Sequence, residues 1–362
     1  MSKQLLKRDN YFLEKTLELA KRAQGYTSPN PMVGAVIVKN NREISCGFHK
    51  KSGLPHAEIE AIKNAKGALH GATLYVNLEP CCHFGKTPPC VDEIIKRGIK
   101  RVVIATKDPN PVVSGKSIEK LKKAGIKVSA NLLASKAARL NEVFFKNMEE
   151  KRPFVVIKLA QSLDGKIAAA NGNSKWITSE KSRKFAKGLR DKYDCVLVGI
   201  NTVIKDNPHL NGLKKIPYKA VIDPRLRILP RSYLLKNNPE KLIIFASLKA
   251  KGKSIPKQSK VFFLKEKKGK LSIKEILSIL YKLGIMSLFV EGGSQTAANF
   301  FDEKLVDKIH IFIAPKILGG KNALTSIGGR GLLLKNCPQV REMRIEKIQQ
   351  DTLITGYLYY GK

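Results

Sequence analysis

Short apolar runs alternate with amphipathic helical patterns along the whole chain, and this alternation restricts the possible fold more than any other feature of the sequence. In the first half, runs typical of strands at 33–38, 73–78 and 101–106 are separated by helical patterns at 56–69 and 90–97. Such alternation is typical of α/β domains, in which helices cover the faces of a sheet. The sequence therefore predicts an α/β fold in both halves.

The first half also contains helical patterns at 11–24 and 116–124. The alternation continues in the second half, where we predict helices at 179–193, 272–283 and 295–305, and strands at 154–159, 196–199, 220–223, 242–246, 261–264, 287–291, 308–314 and 353–360. The charged stretch Glu-Glu-Lys-Arg-Pro at 149–153 directly precedes the first strand of the second half. A chain of 362 residues has room for two domains. We place their bounds at 1–148 and 149–362.

Composition and the N-terminus indicate a soluble, cytoplasmic protein with no membrane partner. Hydrophobic residues make up 43% of the chain, which suffices for globular cores. No apolar run reaches the length of a membrane-spanning helix. Residues 1–22 mix charged and apolar side chains, so they lack the continuous apolar segment of a signal peptide.

The formal net charge of +37 raises the question of a nucleic-acid partner. The 67 lysines and arginines are spread over the entire chain, and no aromatic-basic repeat or nucleic-acid-binding motif accompanies them. We therefore favour a lysine-rich composition distributed over solvated faces, with no nucleic acid as partner. A field of this sign would also attract a small anionic substrate.

Three of the six cysteines fall within one short segment, at Cys81, Cys82 and Cys90, whereas the other three are scattered. In an intracellular protein such a cluster indicates a metal or catalytic site more often than a disulfide framework. The segment His-Ala-Glu at 56–58 lies upstream of it. One imidazole and two thiolates match the three protein ligands of a catalytic zinc site, which keeps one position for water.

Glu58 follows His56 by two residues, so it is placed to carry a proton from the attacking water to a departing amine. A proline directly precedes both His56 and Cys90, so both ligands are expected in the first turns of helices, where the dipole favours a thiolate. Nucleobase zinc deaminases combine His-x-Glu with Pro-Cys-x-x-Cys, whereas the two cysteines lie farther apart here. Cys82 could replace Cys81 as a ligand, but the Pro-Cys position favours Cys81.

Several longer segments extend this pattern over nearly the whole chain. The first half contains Asn-Pro-Met-Val-Gly at 30–34, Pro-His-Ala-Glu at 55–58, Glu-Pro-Cys-Cys-His-Phe-Gly-Lys-Thr-Pro-Pro-Cys at 79–90 and Asp-Pro-Asn-Pro at 108–111. The second half contains Ser-Leu-Asp-Gly at 162–165, Ser-Lys-Trp-Ile-Thr at 174–178, Val-Glu-Gly-Gly at 290–293 and Ala-Pro-Lys at 314–316. In this combination the chain resembles the bifunctional riboflavin-biosynthesis deaminase–reductase family. The resemblance implies a cytidine-deaminase-like zinc domain followed by a dihydrofolate-reductase-like domain.

The resemblance also implies two consecutive reactions on a small phosphorylated pyrimidine. Zn²⁺-dependent deamination of a diaminopyrimidinone ribosylamino 5′-phosphate would precede NADPH-dependent reduction of its ribosyl group to ribityl. His56, Cys81 and Cys90 would bind zinc, and Glu58 would be the proton carrier. The residues expected to contact the pyrimidine or its ribose phosphate are Asn30, His49, His83, Lys86, Asp108 and Asn110. We also expect a homo-oligomer.

In the second domain the resemblance implies a cofactor site and a sugar site. The residues expected to line the NADPH site are Ala160, Trp176, Thr202, Asp206, Gly293, Ser294, Gln295, Thr296, Ala297, Ala298 and Asn299. Those expected to meet the sugar substrate are Ser174, Arg190, Leu210, Leu213, Lys214 and Glu291. The stretch 293–299 has its own physical basis, because glycines between a strand and a helix present backbone N–H groups to a phosphate. A plain turn explains Gly-Gly-Ser equally well.

Two positions depart from the family pattern. Cys82 stands where the family has serine, and Leu213 stands where it has an arginine that is expected to hold the substrate phosphate. A leucine cannot take that role, but Lys214 and Lys215 follow immediately. Either lysine is a candidate replacement, and the alternative is that both are solvated loop residues.

Two other classes of function agree less well with the sequence. A transfer-RNA adenosine deaminase would explain the net charge and the zinc motif, but it would explain neither Thr-Pro-Pro-Cys nor the second domain. A non-catalytic nucleotide-binding relative would not need all four deaminase residues, which are present here.

Overall fold

The computed structural model describes residues 2–84, 88–254 and 257–361. The chain consists of two compact units, Met1–Lys151 and Arg152–Lys362. The division falls inside the charged stretch at 149–153. Within the described ranges, no helix combines the length and apolar character that crossing a membrane requires.

The first unit is a five-stranded sheet with helices on both faces. The strand order is β2-β1-β3-β4-β5, in which β1 pairs antiparallel with β2 and β3, and the β3–β4–β5 part is parallel. Its elements are α1 (Lys3–Lys21), β1 (Gly34–Lys39), β2 (Arg42–Phe48), α2 (Ala57–Asn64), β3 (Thr73–Val76), α3 (Cys90–Lys96), β4 (Arg101–Ile104), α4 (Lys116–Lys123), β5 (Lys127–Ala130), α5 (Ala134–Leu140) and α6 (Glu142–Glu150).

Alternating side chains of the strands in this unit enter two separate cores. One core packs α2, α3 and α4 against one face of the sheet, and the other packs α1 and α5 against the opposite face. A buried ion pair fixes α1, because the carboxylate of Asp9 accepts hydrogen bonds from Arg101 on β4 at 2.6 and 2.8 Å and from the Tyr75 hydroxyl on β3 at 2.9 Å. Pairing of this kind offsets the cost of burying the carboxylate.

The second unit is built on a nine-stranded sheet. The strand order is β11-β10-β9-β8-β14-β6-β15-β18-β17, parallel from β11 to β15 and antiparallel at β18 and β17. Its elements are β6 (Phe154–Ser162), β7 (Lys166–Ala168), α7 (Glu180–Leu189), β8 (Cys195–Gly199), α8 (Ile200–Asp206), β9 (Tyr218–Ile222), α9 (Tyr233–Lys236), β10 (Leu242–Ser247), β11 (Lys260–Leu264), β12 (Glu266–Lys267), β13 (Lys270–Leu271), α10 (Ile273–Lys282), β14 (Ser287–Val290), α11 (Ser294–Asp302), β15 (Lys308–Ala314), β16 (Leu324–Thr325), β17 (Gln339–Ile348) and β18 (Asp351–Tyr359).

Both faces of the parallel strands in this sheet are buried, as parallel sheets require. Helices α10 and α11 pack on one face against residues such as Ile157 and Leu197. The opposite face, which includes Val196 and Val221, packs against α8 and the following segment up to Leu210. The segments that follow the carboxyl ends of β8 and β14 carry several of the predicted reductase residues, including Thr202 and Glu291.

The predicted α/β architecture is confirmed, and the differences lie at element ends and in weakly patterned segments. The helix predicted at 56–69 ends at Asn64, because Ala65 is already extended. The helix predicted at 11–24 begins at Lys3, where the Ser2 side chain accepts a hydrogen bond from the Leu5 N–H at 3.2 Å. Elements that the sequence did not predict are β2, β5, β7, β12, β13, β16, β17, α5, α6, α8 and α9.

Candidate functional sites

The beginnings of two helices in the first unit bring a histidine and two cysteines together. His56 is the N-cap residue of α2, and Cys90 is the first residue of α3. Cys81 lies in the segment between β3 and α3, and its sulfur accepts the backbone N–H of Cys90 at 3.3 Å. Pro89 is the N-cap residue of α3, and Pro55 directly precedes the N-cap of α2, so both prolines lie just before the first helical residue.

The three side chains form a compact donor set. The Nδ1 atom of His56 lies 3.4 Å from the sulfur of Cys81 and 3.4 Å from the sulfur of Cys90. All three donor atoms lie within 4.8 Å of one another. One nitrogen and two sulfur donors at this spacing fit a tetrahedral zinc ion with one open position. Cys82 is not part of this set, because it packs against the neighbouring core.

Glu58 adds a buried carboxyl group beside this donor set. It lies in the first turn of α2 and is 3% exposed. Burial raises its pKa to about 7, although the positive charge of His56 counteracts this. A carboxyl group that titrates near neutral pH is suited to accept and return a proton.

A pocket of about 250 Å³ opens over the donor set. Its lining includes nearly all the residues of the first domain for which the sequence predicts a role, namely Asn30, His49, His56, Glu58, Cys81, His83, Asp108 and Asn110. Cys90 lies behind this surface and is fully buried. Lys86, which was also expected to contact the substrate, lies outside the described residues. The lining is largely apolar around these groups, with Leu54, Leu78 and Phe144 among its residues.

Hydrogen bonds fix the polar side chains of this pocket. His49 contacts the carbonyl of Pro55 through Nδ1 at 3.0 Å and the amide nitrogen of Asn30 through Nε2 at 3.1 Å. Burial lowers the pKa of His49, so its neutral form is favoured. Asp108 accepts the N–H of Asn110 at 2.8 Å, and burial raises its pKa to about 6. Asp108 and Asn110 therefore make the expected turn and line the pocket as well.

Glu79 is a pocket residue to which the sequence assigned no role. Its Oε2 atom accepts the backbone N–H groups of Asp108 at 3.3 Å and Gly115 at 3.1 Å. The carboxylate thus holds both ends of the segment 108–115, which carries Asp108 and Asn110. Its position directly before Pro-Cys in the sequence was the only available signal.

The second unit contains a half-buried group of charges from the middle of β6, the end of α7 and the residue after β14. Arg190 donates to both carboxylate oxygens of Glu291, with Nη2 at 3.1 Å from Oε2, and the Lys158 ammonium lies 3.9 Å from the same oxygen. Burial raises the pKa of Glu291, but the two cations more than offset this, so the pKa lies below its usual value. Burial lowers the pKa of Lys158.

Lys158 is a candidate functional residue that the sequence analysis missed. It interrupts the apolar strand run Phe-Val-Val-Ile-Lys-Leu-Ala at 154–160. A lysine in such a run is costly to bury unless it is paired. The lysine within an apolar run was visible in the sequence. Its partner Glu291 could not be assigned from spacing, because Glu291 directly follows β14 and Lys158 is on β6.

The predicted cofactor stretch at 293–299 begins the helix α11. Gly293 is the N-cap and supplies no side-chain cap, so the first N–H groups of the helix can serve an outside anion. Gly292 and Gly199 allow Thr296 to pack closely against the backbone, because a Cβ atom at these positions would lie 2.4 Å from its Cβ and 2.6 Å from its Oγ1. In contrast, a Cβ atom at Gly293 would meet nothing within 4 Å, so the space at the helix start is open. Such a glycine-lined helix start fits the phosphate groups of a dinucleotide.

The other predicted residues of the second domain are distributed around these two features. Ala160 lies on β6, and Thr202 and Asp206 lie on α8 after β8. The Trp176 ring is 63% exposed and lies under the guanidinium of Arg183 at 4.2 Å. Ser174 is half-buried in the segment before α7.

The segment 210–215 contains the remaining predicted sugar-site residues. Leu210 is 2% exposed and belongs to the core next to α8. Leu213 and Lys214 are exposed, whereas Lys215 is half-buried. The carbonyl of Asn211 accepts a hydrogen bond from Arg190 at 2.9 Å, which ties this segment to the charge group around Glu291.

Both units match families of known enzymes. Residues 6–106 match the cytidine and deoxycytidylate deaminase zinc-binding region, and residues 153–354 match the RibD C-terminal domain. Riboflavin biosynthesis protein RibD of Aquifex aeolicus is 45% identical over 350 residues, which cover 96% of this chain and 97% of that protein. The Escherichia coli protein of the same name is 35% identical, with 96% of this chain and 98% of that protein covered.

Solved structures agree with these matches over the full length. Acinetobacter baumannii RibD superposes with a TM-score of 0.88 at 33% identity, covering 98% of this chain and 99% of that one. A diaminohydroxyphosphoribosylaminopyrimidine deaminase/5-amino-6-(5-phosphoribosylamino)uracil reductase of Thermotoga maritima gives a TM-score of 0.88 at 37% identity, with the same coverage.

The first unit is thus a zinc-type deaminase domain and the second a reductase domain, in the predicted order. The chain belongs to the RibD family of riboflavin-biosynthesis proteins. It is a bifunctional deaminase and reductase, as the sequence predicted. These matches do not favour the transfer-RNA adenosine deaminase alternative.

Proposed function

We propose that this enzyme converts 2,5-diamino-6-ribosylamino-4(3H)-pyrimidinone 5′-phosphate in two consecutive steps. The first unit removes the 2-amino group by hydrolysis, and the second reduces the ribosyl group to ribityl with NADPH. The observation that carries the proposal is the compact donor set of His56, Cys81 and Cys90 beside the buried Glu58. The name of the Thermotoga maritima relative, which states both reactions, supports the choice of substrate.

In the deaminase step, His56, Cys81 and Cys90 would hold one zinc ion. Zinc in such a site is a Lewis acid that makes hydroxide available at neutral pH. Glu58 takes the proton from the attacking water and returns it to the departing amino group as ammonia leaves. Its buried position beside His56 supports this proton-carrying role.

Substrate recognition in this pocket uses Asn30, His49, His83, Lys86, Asp108 and Asn110. The fixed side chains of Asn30 and His49 lie on one wall, and Asp108 and Asn110 come from the segment 108–115. Hydrogen-bonding groups that are already held in place lose little conformational entropy on binding. Lys86 supplies a cation for the substrate phosphate.

In the reductase step, NADPH binds along β6, α8 and the start of α11 through the residues that the sequence named for it. In this reduction the ring C1′–O4′ bond of the ribosyl group breaks, C1′ receives one hydride from the cofactor, and the released oxygen receives one proton. Lys158 supplies that proton, since it is a half-buried cation whose pKa is lowered and whose ammonium lies 3.9 Å from a carboxylate oxygen of Glu291. Glu291 meets the sugar and is itself fixed by Arg190.

The enzyme acts as a homo-oligomer of this chain. Strand β17 lies at the edge of the nine-stranded sheet, and its side chains are exposed along nearly its whole length. Val340, Met343 and Ile345 are among its exposed apolar residues. An open edge with apolar side chains is readily covered by another chain. The particle mass in solution tests this part of the proposal.

Metal removal tests the division of labour between the two units. Dialysis against a chelator should abolish deamination, and added Zn²⁺ should restore it, because the donor set lies wholly in the first unit. Reduction of the deaminated compound by NADPH should continue throughout. Deamination that survives complete loss of metal would contradict the zinc assignment.

A further inference from the structure

An aspartate at the end of α7 lies in an unfavourable place for its own helix. Helix α7 ends at Leu189, and Asp191 follows in the short 3-10 turn 190–192. A carboxylate at a helix C-terminus faces the negative end of the helix dipole, so it costs stability there. A compensating interaction elsewhere is therefore expected.

Asp191 finds this compensation in the backbone of residues 213–215. Its Oδ2 atom accepts the N–H of Leu213 at 3.2 Å, and its Oδ1 atom accepts the N–H of Lys215 at 2.9 Å. The N–H of Lys214 lies between them, at 3.1 and 3.2 Å from the two oxygens. Three successive backbone N–H groups form the kind of concave site that binds anions, and a carboxylate of the chain occupies it here.

Gly212 allows this close approach. A Cβ atom at position 212 would lie 1.9 Å from Oδ1 of Asp191, a distance that real structures do not show. The glycine also closes the turn, since its N–H donates to the carbonyl of Lys215 at 2.9 Å. The carboxylate of Asp191 can therefore occupy this position only because residue 212 is a glycine.

Arg190 forms a second connection to the same segment. Its Nη1 atom donates to the carbonyl of Asn211 at 2.9 Å, while the rest of its guanidinium binds Glu291. Adjacent residues at the end of α7 thus hold the segment 211–215 from both ends, Arg190 at Asn211 and Asp191 at residues 213–215. The position of this segment is thereby coupled to Glu291.

The side chain of Leu213 does not compensate for the missing arginine. It extends toward α7, where a Cβ atom at Gly188 would lie 3.3 Å from its Cδ1 atom. Lys214 is the next residue and is exposed. Its backbone N–H is held by both oxygens of Asp191, so the carboxylate fixes the point from which the Lys214 side chain departs.

We propose that Asp191 is a positioning residue that fixes the segment 211–215 so that it binds the phosphate of the reductase substrate. Asp191 does not touch the substrate; it acts through the backbone of residues 213–215 and through Lys214. The proposal rests on the proposed function, because it takes the phosphorylated product of deamination as the ligand.

The test compares Asp191→Ala with the unsubstituted enzyme in two measurements. Hydrogen exchange of the amides at 213–215 should accelerate at least about tenfold, since hydrogen bonds to a charged acceptor are lost. The affinity for the deaminated ribosyl phosphate, measured by calorimetry without NADPH, should fall at least about tenfold. Affinity for its dephosphorylated form and for NADPH should not change.

Two further variants separate positioning from general damage. Gly212→Ala should weaken phosphate binding as Asp191→Ala does. In the Asp191→Ala background it should add less than in the unsubstituted enzyme, because the contact at 1.9 Å with the carboxylate is gone and only the contact at 3.0 Å with the carbonyl oxygen of Lys215 remains. Glu275→Ala is the matched control, because it removes one exposed carboxylate from α10 in the same unit. It should leave both affinities unchanged.

Unchanged exchange, or equal weakening of the phosphorylated and dephosphorylated compounds, would overturn the proposal. Faster exchange with unchanged phosphate affinity would overturn it too, because the segment would then have no part in binding. If the unsubstituted enzyme itself neither binds nor reduces the compound, the proposed function fails, and this role of Asp191 fails with it.

Discussion

The sulfur of Cys90 lies 3.4 Å from Nδ1 of His56, although 34 positions of the chain separate the two residues. The contact arises because each residue stands at the start of a helix, and both helices cover the same face of the sheet. Two helix starts that meet in this way place the donor set at one end of the pocket, and Glu58, the second residue of α2, lines the same pocket. The first two predictions depend on this arrangement.

Glu58→Gln should separate metal binding from catalysis. The amide has nearly the shape of the carboxyl group but cannot carry a proton, so deamination should fall by at least about a hundredfold. Zinc content, measured by elemental analysis, should stay at one ion per chain, since the donor set does not include Glu58. Loss of zinc from this variant would show that Glu58 is a ligand.

The two adjacent cysteines should respond differently to serine. Cys82→Ser should keep both zinc and deamination nearly unchanged, because the Cys82 side chain packs against the core and not into the donor set. Cys81→Ser should lose zinc, since its sulfur contacts both His56 and Cys90. The reverse pattern would assign the ligand to Cys82.

Much of the first site was predictable from the sequence because its residues lie in short motifs. His56, Glu58 and Cys81 stand beside prolines or within two residues of one another, so helix starts and ligand chemistry could be inferred locally. Lys158 and Asp191 could not be assigned in this way. Their partners Glu291 and the N–H groups of residues 213–215 are brought near only by the tertiary fold.

The elements that the sequence did not predict have weak patterns for identifiable reasons. Strand β17 exposes both of its faces and contains an irregularity between Arg341 and Arg344, so it lacks the alternation of a half-buried strand. Helices α5 and α6 have one buried residue each, Ala137 and Asn147. Periodicity that depends on burial therefore could not indicate them.

Lys214→Ala should weaken binding of the reductase substrate and leave binding of the cofactor unchanged. The KM for the deaminated ribosyl phosphate should rise about tenfold, in the range of a lost hydrogen bond to a charged group. The KM for NADPH should not change, and Lys187→Ala on the exposed part of α7 is the control for loss of a lysine.

Lys215 is the less suitable of the two lysines. Burial lowers the pKa of Lys215, and the negative charges of Asp194 and Asp191 offset this only in part. An unchanged KM in both Lys214→Ala and Lys215→Ala would show that neither lysine replaces the arginine. The phosphate would then have to be held by Arg190, which would have to leave Glu291.

His310 should make the stability of the second unit depend on pH. Its ring is 7% exposed, its Nδ1 lies 2.9 Å from the Thr355 hydroxyl oxygen, and burial lowers its pKa to about 3 from 6.5. The unfolded chain therefore binds a proton below pH 6.5 that the folded chain does not. Stability is fully present above this pH and decreases as the pH falls toward 3, by up to about 5 kcal/mol.

Denaturant unfolding of the wild-type protein and of His310→Gln, followed in the second unit, measures this dependence. The variant should lose most of the change between pH 6.5 and 4, even if it is less stable overall. An equally steep pH dependence in both proteins would show that His310 is not its source.

The order of the two chemical steps is the central claim, and product masses measure it directly. The enzyme is incubated with 2,5-diamino-6-ribosylamino-4(3H)-pyrimidinone 5′-phosphate, with and without NADPH. Without NADPH, the product should have exchanged one amino group for an oxygen, and with NADPH it should also have gained two hydrogens. Reduction that leaves the amino group in place, or no change of mass in a zinc-loaded enzyme, would contradict the account.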